Sequence, residues 1–309
     1  MPDSQPTPKP EILPRLSVIT PSFNQGAFIG ANLSSIANQG YENLEHLVID
    51  GGSTDETLAV LKSHPANTQG HLQWVSEADN GQYNAINKGF AQSSGEVMAW
   101  LNADDAYLPG ALLTVGQLFR DFPQIQWLTT SVPSAIDATG GIIKLLHVPG
   151  FTIKTFKRGD NLINAGWEGL CSIQQESTFW RRSLWEKAGG HVDEAYDFAG
   201  DYELWNRMMD HAPLYSVDVP LGCFRKQQDQ KTSTDPGRYI EQARTVFERA
   251  GGHPPPRTLQ RWRMRLWRSL PHDWTRRLQG RTRDKAIHHL TYDWGTDRWT
   301  DCSRRTEAE

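Results

Sequence analysis

The chain is short of the features that would assign it quickly to several broad classes. Three cysteines occur in 309 residues, Cys171, Cys223 and Cys302. They are odd in number, far apart and form no CxxC pair. Neither a disulfide framework nor a thiolate metal site is expected, and a reducing, cytoplasmic compartment is the default. No apolar run reaches the roughly 18 residues of a membrane-spanning helix. The opening residues Met1-Pro2-Asp3-Ser4-Gln5-Pro6 are polar and proline-rich, without the apolar core of a signal peptide. Charge of one sign is not in excess either. The formal net charge is -4, which argues against bulk nucleic-acid binding. No internal repeat is visible.

What charge there is lies unevenly. Between Arg257 and Lys285 there are ten basic residues against Asp273 and Asp284. The remainder is correspondingly more acidic. Pro254-Pro255-Pro256 marks a boundary before this basic stretch. The organisation expected is a disordered leader at 1–14, a main domain at 15–252, and a basic, Trp-rich, helical extension at 253–309.

The main domain reads as alternating strands and helices. Leu16 to Thr20 is an apolar strand stopped by Pro21, and Ile29, Leu33, Ile36 and Ala37 then recur at helical spacing. Glu45 to Asp50 is a second strand. Ser53 to Glu56 has the form of a capping box opening the next helix. Leu72–Val75 and Val97–Leu101 read as strands on either side of a helix from Gly81 to Gln92. Further on, helices are expected at Leu112–Phe119, Asp201–Met209 and Pro236–Ala250, and strands at Ile125–Thr130 and Ser177–Trp180. Such alternation implies an α/β fold with a doubly wound, mostly parallel sheet.

Two of these strands end in carboxylates: Val48-Ile49-Asp50-Gly51-Gly52 and Trp100-Leu101-Asn102-Ala103-Asp104-Asp105. Ligands of open α/β sheets bind beyond the carboxyl ends of the strands. The glycines after Asp50 permit a tight turn and close approach of a ligand to the backbone. Asp50 is therefore a candidate for ribose or base, against the simpler reading that it caps the next helix. Adjacent carboxylates at Asp104 and Asp105 repel unless a cation lies between them. Asp104 is the candidate metal ligand, against a plain polar turn before Pro109.

Five segments in order resemble family 2 glycosyltransferases of the GT-A fold. They are Ser17-Val18-Ile19-Thr20-Pro21-Ser22-Phe23-Asn24-Gln25, Ile49-Asp50-Gly51-Gly52-Ser53-Thr54-Asp55, Ser76-Glu77-Ala78-Asp79-Asn80-Gly81, Asn84-Ala85-Ile86-Asn87-Lys88-Gly89 and Trp100-Leu101-Asn102-Ala103-Asp104-Asp105. The resemblance covers about residues 15–235. It implies an inverting transferase that moves a sugar from a nucleotide-diphosphate sugar, commonly a UDP-sugar, to an acceptor hydroxyl in cell-surface glycan synthesis, with Mg²⁺ or Mn²⁺. Exopolysaccharide, O-antigen and glycolipid are the products it suggests. By the same resemblance Thr20, Pro21 and Asn24 line the nucleotide pocket, Asp50 and Asp79 hold base or ribose, and Lys88 belongs to the donor site. Asn102 occupies the first position of the family's DxD motif, where relatives often carry Asn or Ser. Asp104 occupies the last, facing metal and diphosphate.

An inverting transferase needs a base opposite the leaving group. Phe198-Ala199-Gly200-Asp201-Tyr202-Glu203-Leu204-Trp205 resembles the family's acidic motif and places the base at Asp201. A plain N-cap is the alternative role, and Glu203 the fallback base. Trp180 suits either sugar stacking or the core. The run Phe224-Arg225-Lys226-Gln227-Gln228-Asp229-Gln230-Lys231-Thr232 departs from the family pattern, because Gln227 stands where relatives often carry His. Arg225 and Lys231 are candidate partners for the diphosphate.

In the tail, Leu259, Trp262, Leu266, Trp267 and Leu270 fall at helical spacing among arginines. This suits a peripheral helix on an anionic membrane near a lipid-linked acceptor, or a helix packed on the main domain. Two other functions stay open. A transferase-like domain kept only for binding is permitted by Asn102 and Gln227. A sugar nucleotidyltransferase is disfavoured, since Thr20 to Gln25 has no Gly-rich basic loop. A dehydrogenase fails for want of GxGxxG.

Overall fold

The computed structural model of the protein describes residues 12–68, 70–148, 150–159, 161–162, 172–227, 230, 235–253 and 287–304. The first half alternates as its periodicity predicts. Strand β1 (Leu16–Ser22) is followed by α1 (Ile29–Ala37), β2 (Leu44–Asp50), α2 (Thr57–Ser63), β3 (Leu72–Ser76), α3 (Gln82–Gln92) and β4 (Val97–Trp100). β1 and β2 are buried along their whole length, as expected of central parallel strands covered on both faces. β1 pairs in parallel with β2 and β4, and β2 with β3.

The second half closes the sheet from the other side. In chain order come β5 (Ala106–Tyr107), α4 (Ala111–Asp121), β6 (Trp127–Thr130), β7 (Ser134–Ile136), β8 (Ile142–Leu145) and α5 (Ile153–Lys157). Then follow β9 (Phe179–Arg181), α6 (Arg182–Lys187), α7 (Gly200–Met209), β10 (Tyr215–Val217), β11 (Gly222–Arg225), α8 (Pro236–Arg249), β12 (His289–Asp293) and β13 (Arg298–Asp301). The large sheet has the order β13-β12-β10-β6-β9-β4-β1-β2-β3, and a small one the order β5-β11-β7-β8. β9 runs antiparallel between β4 and β6, so the large sheet is mixed but mostly parallel. This is the GT-A type of α/β arrangement.

Three details differ from the sequence reading. β1 does not stop at Pro21 but runs to Ser22, in register with Asp50 of β2. Pairing with β4 ends at Ile19, so the missing N–H of Pro21 breaks no ladder on that side. The capping box does not form: α2 begins at Thr57, Ser53 donates its hydroxyl to Asp50, and Asp55 accepts from the Thr57 amide instead. The tail is not helical throughout. Residues 289–301 form an antiparallel hairpin whose first strand pairs with β10 and extends the main sheet. The predicted helical run 259–270 lies outside the described residues.

Aromatic packing holds the two halves together. Trp100, Trp127, Trp180 and Trp205 are each at most 1% exposed. Trp100 and Trp205 stack with centroids 5.8 Å apart and planes 7° apart, and Trp180 meets both edge-on. Of the two roles open to Trp180, the core is the one observed. Gly89 lets α3 press onto the sheet, since a Cβ there would lie 2.4 Å from Ile19 Cγ2.

Candidate active site

The carboxyl ends of β1, β2 and β4 open onto a cavity of about 1120 Å³. Pro21, Asp79, Asn102, Asp104, Asp201 and Gln227 are among the residues on its wall. Residues as far apart in the chain as Pro21 and Gln227 thus meet where the strand order reverses, as the general rule for α/β sheets requires.

The turn after β4 builds one side. Asn102 accepts from Gln82 Nε2 at 2.7 Å and donates to Asp105 Oδ2 at 3.1 Å. Asp105 is 1% exposed and also accepts the Arg225 amide at 2.7 Å. It is therefore turned inward, and Asp104 is turned to the cavity. Gln227 reaches across and donates from Nε2 to Asp104 Oδ2 at 3.1 Å. Burial holds the Asp104 carboxyl above the usual range. Burial, then the charges of Glu176 and Asp104, push Asp105 far higher. Glu176, on the same wall, is pushed up to about 7, mainly by burial.

Asp201 faces the cavity from the first turn of α7. Its Oδ1 accepts the Tyr202 amide at 2.7 Å, and the Tyr239 hydroxyl of α8 lies 3.1 and 3.2 Å from its two oxygens. Burial raises its pKa to about 6, with these hydrogen bonds opposing the rise. The start of α7 is itself pinned by Tyr83, whose hydroxyl donates to Phe198 O and accepts from Gly200 N. Glu203 is engaged elsewhere, in an ion pair with Arg207 at 2.7 Å.

The remaining predicted residues divide clearly. Pro21, Asp79, Asn102, Asp104 and Asp201 converge on the cavity. Thr20 and Asp50 are 0% exposed and lie behind it. Thr20 Oγ1 bonds His46 Nε2 at 2.9 Å. Asp50 accepts from the Gly52 and Ser53 amides and from the hydroxyls of Ser53 and Ser76. Asp50 thus orders the turn that carries Gly51, which does line the cavity. Asn24 is exposed with φ of 52° and accepts from the Thr54 amide. Lys88 pairs with Glu77 at 2.8 Å. Arg225 is 3% exposed and donates to the carbonyls of Asp104, Asp137 and Ala138, so it braces two loops instead of facing the cavity. Lys231 lies outside the described residues. Tyr239 and Gln82 were not singled out from sequence, because no motif marks a residue whose role depends on a partner far along the chain; Glu176 lies in the run Gln174–Trp180, which resembles the family's acceptor-side segment.

A divalent cation suits this wall. Among the described residues the wall carries Asp79, Asp104, Asp105, Glu176, Asp197 and Asp201, and Lys144 is the one cation. A diphosphate placed here needs added positive charge. Among the described residues no three His, Cys, Asp or Glu side chains are grouped to hold a metal. One carboxylate at Asp104 with the Gln227 amide beside it fits a hard ion that takes its other ligands from phosphate and water.

Comparison with known proteins agrees with this geometry. A family model described as glycosyl transferase family 2 matches residues 17–163. An uncharacterized glycosyltransferase of Mycobacterium tuberculosis is 39% identical over 212 residues, 68% of this chain and 73% of the relative. An uncharacterized glycosyltransferase of a Nostoc species is 30% identical over 106 residues, 34% of this chain. That match spans only 33% of the Nostoc protein. Among solved structures, a mannosyltransferase of Pyrobaculum calidifontis in complex with GDP-Man and Mn²⁺ superposes with a TM-score of 0.52. It is 19% identical, and the match covers 89% of this chain and 75% of that one, a likeness of fold.

Proposed function

The chain belongs to glycosyl transferase family 2, and from that premise we propose that it transfers a sugar from a nucleotide-diphosphate donor to an acceptor hydroxyl, with inversion. The donor is a UDP-sugar and the acceptor a cell-surface glycan or its lipid-linked precursor. The observation that carries this reading is that Asp104 and Asp201 face one cavity, each held by a named partner.

The chemistry assigned to each residue follows from its surroundings. Asp201 accepts the proton of the attacking hydroxyl. A pKa of about 6 leaves it ionised at neutral pH and still basic enough to act, which is the range general-base catalysis favours. The acceptor oxygen forms the new bond to the anomeric carbon while the bond to the diphosphate breaks on the opposite face. Mg²⁺ or Mn²⁺, held by Asp104 with Gln227 turned to present its oxygen, would neutralise the departing diphosphate. Asp79 and the Gly51 backbone lie on the wall where the nucleoside would rest.

Thermal shift with UDP, GDP and dTDP, each with and without Mn²⁺, tests the donor site. A ligand that binds only the folded chain raises its melting temperature. Metal-dependent stabilisation by one nucleotide supports the reading and names the donor class. No response to any of the three, with or without metal, removes it. A binding domain without turnover is the second reading, favoured by the single carboxylate at the DxD position. It predicts nucleotide stabilisation with no sugar transfer to any acceptor. A cytoplasmic location belongs to this proposal; among the described residues no helix is long and apolar enough to cross a membrane.

A further inference from the structure

The small sheet carries a surface that the transfer reaction does not use. Seven large hydrophobic residues are exposed among those described, and four of them fall within one stretch: Ile142, Ile143, Leu145 and Ile153. The first three belong to β8, which is exposed along its whole length. Successive side chains of a strand point to opposite faces. Ile143 and Leu145 therefore share one face, and Ile142 and Lys144 the other, and neither face is covered. β8 is also the last strand of its sheet.

We propose that the β7–β8 hairpin is a membrane-contact surface that rests on an anionic bilayer at the mouth of the cavity. Charge is the first support. Residues 137–159 hold one carboxylate, Asp137 in the hairpin turn, against Lys144, Lys154, Lys157 and Arg158. Lys157 pairs with Asp210, whereas the Lys144 side chain takes part in no hydrogen bond or ion pair among the described residues. Exposed aliphatic side chains interleaved with cations are what an anionic interface selects: the first enter the acyl boundary and the second meet the headgroups. Rigidity is the second support. The hairpin turn is tied by Asp137 Oδ1, which accepts from the Thr139 amide, the Thr139 hydroxyl and the Gly141 amide. The side chains are thus presented without a further ordering cost. Location is the third. Lys144 and Leu146 line the cavity, so a bilayer at β8 adjoins its opening.

A second copy of the chain is the other occupant such an edge strand invites. Antiparallel pairing over the whole of β8 would set Lys144 of each copy opposite Ile143 of the other, a mismatch of charged and apolar side chains on both faces. An anionic surface has no such conflict. The proposal does not rest on the transfer reading, because vesicle binding can be measured without donor or acceptor.

The test is flotation of the full chain with vesicles of phosphatidylcholine alone or with about 30% phosphatidylglycerol. Four forms are compared: wild type, Ile143→Thr with Leu145→Thr, Lys144→Gln, and Trp262→Ser with Trp267→Ser. Threonine keeps the strand preference, and an unchanged melting temperature shows that the fold is intact. Wild type and the tryptophan variant should float with anionic vesicles only. The threonine pair should lose binding by about tenfold or more, and Lys144→Gln by a smaller factor. Should the threonine pair misfold, loss in Lys144→Gln carries the result. Three outcomes overturn the proposal: wild type stays unbound, the hairpin variants float like wild type, or light scattering finds a wild-type dimer that the threonine pair abolishes.

Discussion

The hydroxyl of Tyr239 lies 3.1 and 3.2 Å from the two carboxylate oxygens of Asp201. The two residues come from different helices, α8 and α7. A donor to a carboxylate favours its charged form and opposes the effect of burial. Tyr239→Phe removes that donor and leaves the ring. The acid limb of kcat/KM, which reports ionisation of the free enzyme's base, should then move up from about pH 6 by about half to one unit. A purely structural role for Tyr239 would lower the melting temperature and leave the limb where it is.

Asp201→Asn should lower kcat by about 10²–10⁴, the usual worth of a general base. Nucleotide binding, measured by thermal shift, should stay close to wild type if, as proposed, Asp201 acts in the acceptor step. Equal loss of binding and turnover would place Asp201 in the donor site instead.

The same substitution has a stability signature with a defined sign. Burial raises the Asp201 pKa to about 6 in the folded chain, against an ordinary value of 3.8. Ionisation therefore costs more folded than unfolded, and the stability associated with the neutral form is lost as pH rises through about 6. Asn mimics the neutral form at every pH. The melting temperature of Asp201→Asn relative to wild type should rise between pH 4 and pH 7, by a few degrees. A difference independent of pH would show that the carboxyl does not titrate in this range.

Asp104→Asn should abolish the Mn²⁺-dependent part of nucleotide stabilisation and leave the fold intact, since Asn can still accept from Gln227. Gln227→Ala should weaken the same response by a smaller factor, about tenfold in apparent metal affinity. Unaltered metal dependence in Asp104→Asn would move the cation site elsewhere.

Gly89→Ala tests the packing of α3 on the sheet. The added Cβ would fall 2.4 Å from Ile19 Cγ2 and 3.2 Å from Ile49 Cγ1. Overpacking of this kind costs about 1–3 kcal/mol, and the better helix propensity of Ala recovers up to about 1 kcal/mol. Urea denaturation should show a net loss. A more stable variant would mean that α3 can lift from the sheet without strain.

Much of this protein was legible before any coordinates. Apolar runs and helical spacing located the strands and helices of the first half, because central strands are buried on both faces and helices along one stripe. The carboxylates at 102–105 and Asp201 were recognisable as site candidates because their motifs are local. Other features were decided only by tertiary structure. Asp50 and Asp104 both end strands in acidic turns, yet Asp50 is enclosed by four hydrogen-bond donors and Asp104 faces open space. Which way a carboxylate turns depends on neighbours such as Ser76 and Gln227 that strand pairing and loop return bring near it. Arg225 suits a diphosphate by its charge, but three backbone carbonyls claim its guanidinium. The end of the basic tail joins the main sheet because β10 offers it an open edge, a partner that no local pattern names. Local pattern thus determined the elements and the residue types of the site. Contacts between distant segments decided which of those residues share one cavity, since burial and hydrogen bonding belong to the assembled fold.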